Sequence, residues 1–462
     1  MPVRISYNDA EPARQADTVP FYRVLPMLAR GPVDALAELG RQARGEALRL
    51  DLGPFRPYLL THPEHVQRVL RGNSANYVRE GMLWKPLRRL FGTDGILGEG
   101  PAWKSSRTIL QPLFTARYVA SLAEQMADAI AERIDGLDEF ARSGRSIDAA
   151  EEMTDIVMHA TARVLFGDKI SPADGRRLAP TFDTLAASMG FRMLMPFMPY
   201  SVPLPGDRAF MNAVKAIDEV VYPLIRKARA QPDDGSDIIS ALCRAHDEDQ
   251  AGDRQVRDDL VSIFLASTDT TAMSLTWLWP VLHAHPAVAA RLYDEVDRVV
   301  GAGPARPSHV PELRYTKMVL QELIRLHPPG WVMPRMAVVS DDIGGVRIKA
   351  GSIVVTSPYA THRLDEFWER PLDFDPERFS PDIAERRHRY SYFPFGGGPH
   401  QCLGQYLFYI EAPLAVATIL SRFRPVVRNP GPFTPLPSVA LRPKQKIELG
   451  LVPVERTPPR PR

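Results

Sequence analysis

The sequence has very little cysteine. Two cysteines, Cys243 and Cys402, in 462 residues cannot staple a chain of this length, which excludes a disulfide-built scaffold and suits a reducing compartment. Net charge is equally scant. The 57 Lys and Arg against 55 Asp and Glu leave +2 at pH 7, too little to point to nucleic acid or an anionic membrane as a bulk partner. Long apolar runs are missing as well, because charge or proline breaks each one short of the ~20 residues a spanning helix needs. The opening stretch MPVRISYNDAEPARQADTVPFY has neither the apolar core of a signal peptide nor an anchor. A cytoplasmic location is expected. No internal repeat and no Gly- or Ser-rich linker divides the chain.

What is present is an ordinary globular composition, 45% hydrophobic and 24% charged, able to bury a large core. A length prior of roughly 150 residues per domain would suggest about three domains. The chemically informative residues, however, run from Trp103 to Cys402 as parts of one site. One domain over residues 1–462 is therefore expected, with flexible ends at 1–20 and 455–462. ALRLDLGPFRPYLLTHPEHVQRVL reads as two short strands around a Gly-Pro turn, followed by a helix opening after His-Pro. From Trp103 to Gln321 the periodicity is mostly helical. VVSDDIGGVRIKAGSIVVTSPY is β-branched and alternating with Gly turns, a small sheet. The fold expected is mainly α with a smaller β-rich part.

Three clusters carry chemistry. In FPFGGGPHQCLGQ, three glycines precede Cys402 and Gly404 follows it, at a loop-to-helix junction. Helix N-terminal amides there favour the thiolate, and a thiolate is a good ligand for haem iron. Taken alone, such a loop describes a tight turn around a small buried hydrophobe better than a ligand. In VSIFLASTDTTAMSLTWLW, Ala266, Ser267, Asp269, Thr270 and Thr271 interrupt an apolar helix. Hydroxylated residues there can open the helical ladder locally, and an acid beside a hydroxyl can deliver protons. The other reading is hydroxyls bonded back to their own carbonyls. In MVLQELIRLHPPG, Glu322 and Arg325 share a helix face. Spacing alone describes a surface ion pair, whereas the apolar flanks Leu320, Leu323, Ile324 and Leu326 argue for burial.

Phe395, Gly398, His400, Cys402 and Gly404 resemble the haem-binding signature of the cytochromes P-450, with His400 where that family usually has Arg. ASTDTT is similar to the family's oxygen-activating pattern, with Ser267 in place of the usual Gly. Glu-x-x-Arg, Arg378 in FDPERF, Trp103-x-x-x-Arg107 and Pro334-Arg335 follow the same resemblance, in the expected order over nearly the whole chain. It implies the cytochrome P-450 fold, with haem b between the oxygen-activating helix and the cysteine loop. Cys402 would be the axial ligand of the iron, and Trp103, Arg107, Arg335 and His400 would anchor the propionates. Asp269 and Thr270 would relay protons. Glu322, Arg325 and Arg378 would form a structural charge cluster.

The resemblance also implies insertion of one oxygen atom from O2 into a C–H or double bond. The substrate expected is a bulky apolar molecule, a terpenoid or polyketide of bacterial secondary metabolism; the segment Met195 to Asn212 is similar to that of oxidases acting on cyclic sesquiterpenes. Its pocket would be lined by Trp84, Phe91, Ile96, Met193, Phe264, Ala266, Trp331, Val332 and Met333. Electrons from NAD(P)H would arrive through a separate ferredoxin and ferredoxin reductase. The alternatives are a peroxide-using or non-oxygenating haem-thiolate enzyme, a fatty-acid hydroxylase served by Arg88, Arg89 and Arg192, and a helical binding protein without haem.

Overall fold

The computed structural model describes residues 14–85, 88, 95–188, 198–199, 201–231, 237–246 and 249–455. Phe91 and Met193, expected in the substrate pocket, lie outside the described residues. The chain forms two compact units, neither continuous in sequence. One takes Met1–Lys85, Ile324–Cys402 and Pro435–Leu441; the other takes Pro86–Leu323, Leu403–Thr434 and Arg442–Arg462.

The first unit carries a six-stranded sheet. Leu48–Leu50 and Tyr58–Leu60 pair antiparallel around the Gly-Pro turn, with Leu48 opposite Leu59. His62 then caps the helix Pro63–Gln67, its ring accepting from the Glu64 amide at 3.3 Å. Downstream, Asp341–Ile343 and Val346–Ile348 form a hairpin closed by Gly344 and Gly345 at φ 56° and 74°; a two-residue turn of this hand needs positive φ at both positions. Ile353–Thr356 runs parallel to Tyr58–Leu60 and antiparallel to Met333–Ala337, so strands nearly 300 residues apart share one sheet. Alternation decides which side chain goes where. Tyr58, Leu60 and Val354 join Val66, Tyr77 and Phe393 in one core cluster, while Leu59 and Val355 pack against Leu36 and Leu39 in another.

The second unit is built on helices. Ala149–Phe166 starts under Asp148, whose carboxylate accepts from the Ala150 amide at 2.8 Å, and buries Met153, Ile156, Val157, Ala160 and Val164. The 35-residue helix Gln250–Ala284 packs along it and also touches Gln405–Arg422. A small antiparallel sheet joins Phe423–Val427, Glu448–Pro453 and Ile147–Asp148. Among the described residues, one stretch, Gly398–Arg422, is long and apolar enough to cross a membrane, and 72% of its most apolar window is buried inside the protein.

Candidate haem and oxygen site

In the first unit, the cysteine loop is set by its own backbone. The Gly396 amide donates to the Phe393 carbonyl at 2.9 Å, the Gln401 amide to Gly398 at 3.1 Å, and the Cys402 amide to Phe395 at 2.9 Å. Gly396 and Gly398 take φ of 68° and 66°. A Cβ on Gly398 would stand 1.8 Å from the Leu70 carbonyl oxygen, so only glycine fits. Cys402 emerges from this loop exposed and outside any disulfide, which decides against the buried-hydrophobe reading. Met333, on the adjoining strand, lies near the loop: its sulfur is 3.6 Å from where a Gly396 Cβ would be.

A residue the sequence reading missed holds the start of this loop. His362 is fully buried; its Nδ1 donates to the Arg325 carbonyl at 3.1 Å and its Nε2 accepts from the Phe393 amide at 3.0 Å. Those two bonds fix one neutral tautomer. Desolvation holds the ring well below the usual histidine range. Only the adjacency of "Thr-His-Arg" to the Glu-x-x-Arg helix in space could have pointed to it, and that is not a sequence signal.

Arg325 is wholly buried, not a surface charge. It fans onto the carbonyls of His362 (2.8 Å), Pro371 (2.7 Å) and Asp373 (3.0 Å). Arg378 likewise donates to the carbonyls of Glu369 and Arg370. Both cations hold the irregular segment that leads to the cysteine loop. Glu322, in the other unit, is also fully buried.

Arg335 is 5% exposed and donates to the Pro334 carbonyl at 2.8 Å. Trp84, expected as a pocket wall, instead forms a plate for two cations. Its indole N–H donates to Pro334 at 3.2 Å, and the guanidiniums of Arg79 and Arg335 stand 5.5 and 5.8 Å from its ring centre. Arg79, a second residue missed, also donates to the His400 carbonyl at 3.2 Å. Trp331 is held by Ser438, whose carbonyl accepts its indole N–H at 3.0 Å. Trp331 and Val332 pack against the Leu36–Leu59 cluster.

In the second unit, the long helix is buried from Val256 to Phe264 and again from Thr271 to Leu282 apart from isolated positions. Between these stretches Ala266 is exposed, and Ser267, Asp269 and Thr270 are half-buried. The helix is continuous here, so the expected opening of the ladder does not occur. Ser267 donates back to the Ile263 carbonyl at 2.6 Å and Thr270 to Ala266 at 2.7 Å, the self-bonding that small hydroxylated residues favour. Asp269 accepts from Arg442 at 2.7 Å.

Phe264 does not join Ala266. Two positions away at about 100° per residue, it points to the far side of the helix. There it packs on Phe166, with ring centres 6.2 Å apart, and lines a cavity of about 460 Å³ with Met158, Ala162 and Ile170. Beside Thr270, Thr271 meets a carboxyl the sequence reading overlooked. Glu411 is 1% exposed, bonded by the Thr161 and Thr271 hydroxyls, and burial pushes it up to about 8. Trp103 is 7% exposed, Arg107 half-buried and one turn on, and Ile96 half-buried.

Known proteins similar to this chain define its family. The cytochrome P450 family matches residues 15–450. Cyclooctatin synthase of Streptomyces melanosporofaciens is 33% identical, over 94% of this chain and 92% of its own length. Pentalenene oxygenase of Streptomyces avermitilis is 28% identical over 93% and 94%. Cyclooctat-9-en-7-ol 5-monooxygenase of S. melanosporofaciens is 31% identical over 92% and 93%. A crystal structure of the cytochrome P450DA heme domain superposes with a TM-score of 0.82 at 24% identity, covering 96% of this chain and 98% of that one. The chain belongs to the cytochrome P450 family. It is an oxidoreductase of the monooxygenase type, and its family implies a haem held by a cysteine thiolate.

Proposed function

We propose that Cys402 is that thiolate and that the protein oxygenates a bulky apolar polycyclic molecule, a terpenoid before a polyketide. The observation that carries the first half is the exposed thiol at the end of a backbone-bonded, glycine-dependent loop. The donor set fits haem: one soft thiolate for the iron, and Trp103, Arg107, Arg335 and His400 as donors for two propionates. The names of the relatives, an alkene oxygenase and an alkenol monooxygenase, support the substrate class. The family match spans segments of both units, which supports reading the chain as one catalytic domain.

When bound, the haem supplies reductive activation of dioxygen. The chain's own part is to place Thr270 Oγ1 and the Asp269 carboxyl where protons are needed. Thr270 can turn from the Ala266 carbonyl to a ligand, and Asp269 can take a proton from solvent once it leaves Arg442. Electrons would come from NAD(P)H through a ferredoxin and its reductase in the cytoplasm. The test is an optical titration of purified protein with cyclic sesquiterpenes and then macrolide or ansamycin polyketides, with Thr270→Ala alongside. A thiolate-haem spectrum that shifts to high spin with the terpenes is expected, and in the variant less product per electron. A spectrum without thiolate character overturns the assignment of Cys402; equal product per electron removes Thr270 from proton delivery.

A further inference from the structure

The long helix carries a second acid that the oxygen chemistry does not use. Asp259 is fully buried. Its carboxylate accepts from Ser106 Oγ at 2.7 Å, from Gln255 Nε2 at 3.3 Å and from the Ile96 amide, and the His246 ring lies 3.9 Å away. The neighbouring guanidinium, Arg257, is committed to Asp218 at 2.7 Å and Asp258 at 2.8 Å. A carboxyl so placed costs energy to desolvate, and burial pushes it up to about 6. A plain apolar residue would fill the space without that cost.

What the acid gains is geometry. Three donors from separate pieces of chain converge on it: its own helix one turn earlier, the loop at Ile96, and the helix Gly100–Leu110. Ser106 lies three residues after Trp103 and immediately before Arg107. It is 1% exposed, so its bond to Asp259 fixes the rotation of that short helix about its own axis. With the rotation fixed, the directions of Trp103 and Arg107 are fixed too, because each residue is displaced by about 100° from the last.

We propose that Asp259 is a positioning residue: one buried carboxylate on the long helix that sets the rotation of Gly100–Leu110 and so presents Trp103 and Arg107 to the haem propionates. This rests on the propionate role proposed above for those two residues.

The experiment measures haem loss to excess apomyoglobin, together with the propionate-bending band in resonance Raman. It compares wild type, Ser106→Ala, Asp259→Ala, the double variant, Asp259→Asn and Arg107→Ala. Ser106→Ala and Asp259→Ala should each lose haem about tenfold faster, as expected for a hydrogen bond to a buried charged group. The double variant should be no faster than Asp259→Ala, because both remove one interaction. Asp259→Asn keeps an acceptor for Ser106 and should stay within about twofold of wild type, with its Raman band unmoved. If Asp259→Ala does not fold, Ser106→Ala against Asp259→Asn decides alone.

Wild-type haem loss and an unmoved band in Ser106→Ala, or effects that multiply in the double variant, overturn the inference. Haem loss from Arg107→Ala at the wild-type rate overturns the anchor role beneath it instead. Fast loss from Arg107→Ala with wild-type behaviour in Ser106→Ala overturns the inference alone.

Discussion

Between Phe393 and Cys402 the chain has one short 3₁₀ turn, Gly398–His400, and is otherwise irregular, yet it is held by main-chain bonds and by Gly398 pressed against the Leu70 backbone. Between Gln250 and Ala284 the chain is regular throughout, yet three of its polar side chains are met by partners from far along the sequence. Asp259 is met by Ser106, Asp269 by Arg442, and Thr271 by Glu411. The loop must hold one sulfur in one place, and backbone constraint does that with no side-chain freedom to lose. The helix is ordered by its own backbone ladder, and side-chain bonds tie it to the elements around it.

The comparison is broken most forcefully at Gly398. An alanine there meets the Leu70 carbonyl and must also hold φ near 66°. Overpacking and left-handed strain together should cost about 3 kcal/mol or more, read as a lower urea midpoint and poor haem incorporation. The matching change on the helix, Ser267→Gly, should cost only about 1 kcal/mol. Equal costs would mean that the loop is no more constrained than the helix.

His362 should come next. His362→Phe keeps a ring but strands the Phe393 amide and the Arg325 carbonyl, each worth about 1–3 kcal/mol when buried and unpaired. The pH dependence has a definite sign. Because the folded-state pKa lies far below the unfolded value near 6.5, the bonds made by the neutral ring stabilise fully above that value. That stabilisation is lost as pH falls from there toward the folded pKa. Urea midpoints from pH 7.5 down to 5 should fall more steeply in wild type than in the variant; parallel curves would remove His362 as the strut of the loop.

The two regions also differed in how far the sequence exposed them. The cysteine loop was legible because glycine's requirement is local: Gly396 and Gly398 announce tight backbone wherever they fold. The hydroxyl-rich helix was legible as a helix, but not in its detail. Ser267 and Thr270 satisfy themselves within the helix, leaving the ladder closed, and the side on which Phe264 falls follows from rotation that the apolar flanks, buried nearly all round, do not reveal. Arg79, His362, Arg442 and Glu411 carry no motif of their own. Their roles depend on contacts across dozens to hundreds of residues, and the same is true of the strand Ile353–Thr356 finding Tyr58–Leu60 as its neighbour. Trp84 was misread for a related reason: an aromatic among apolar residues looks like a pocket wall until the two arginines beside its faces are seen.

The smallest effect expected, and the sharpest on the helix side, is at Glu411. At pH 6 the carboxyl is neutral in the folded protein, so Glu411→Gln replaces one uncharged group by another of the same shape. Its oxygen still accepts from Thr161 and Thr271, and the cost should be about 1 kcal/mol or less. The difference emerges as pH rises. A folded pKa of about 8 against 4.5 in the unfolded chain means that the folded state holds a proton the unfolded state has released. Wild-type stability is therefore greatest at low pH in this respect and is lost progressively up to about 8. The glutamine variant cannot titrate and should give a flatter curve between pH 6 and 8, overtaking wild type before pH 8, because this linkage takes about 2 kcal/mol from wild type over that range. Asp259, with its carboxyl near 6, has the same sign but finishes titrating in the lower part of this window, so the residual slope above pH 7 belongs to Glu411. A wild-type curve already flat from 6 to 8 would mean that the carboxyl ionises normally, and that the contact between Thr271 and Glu411 is a charged one.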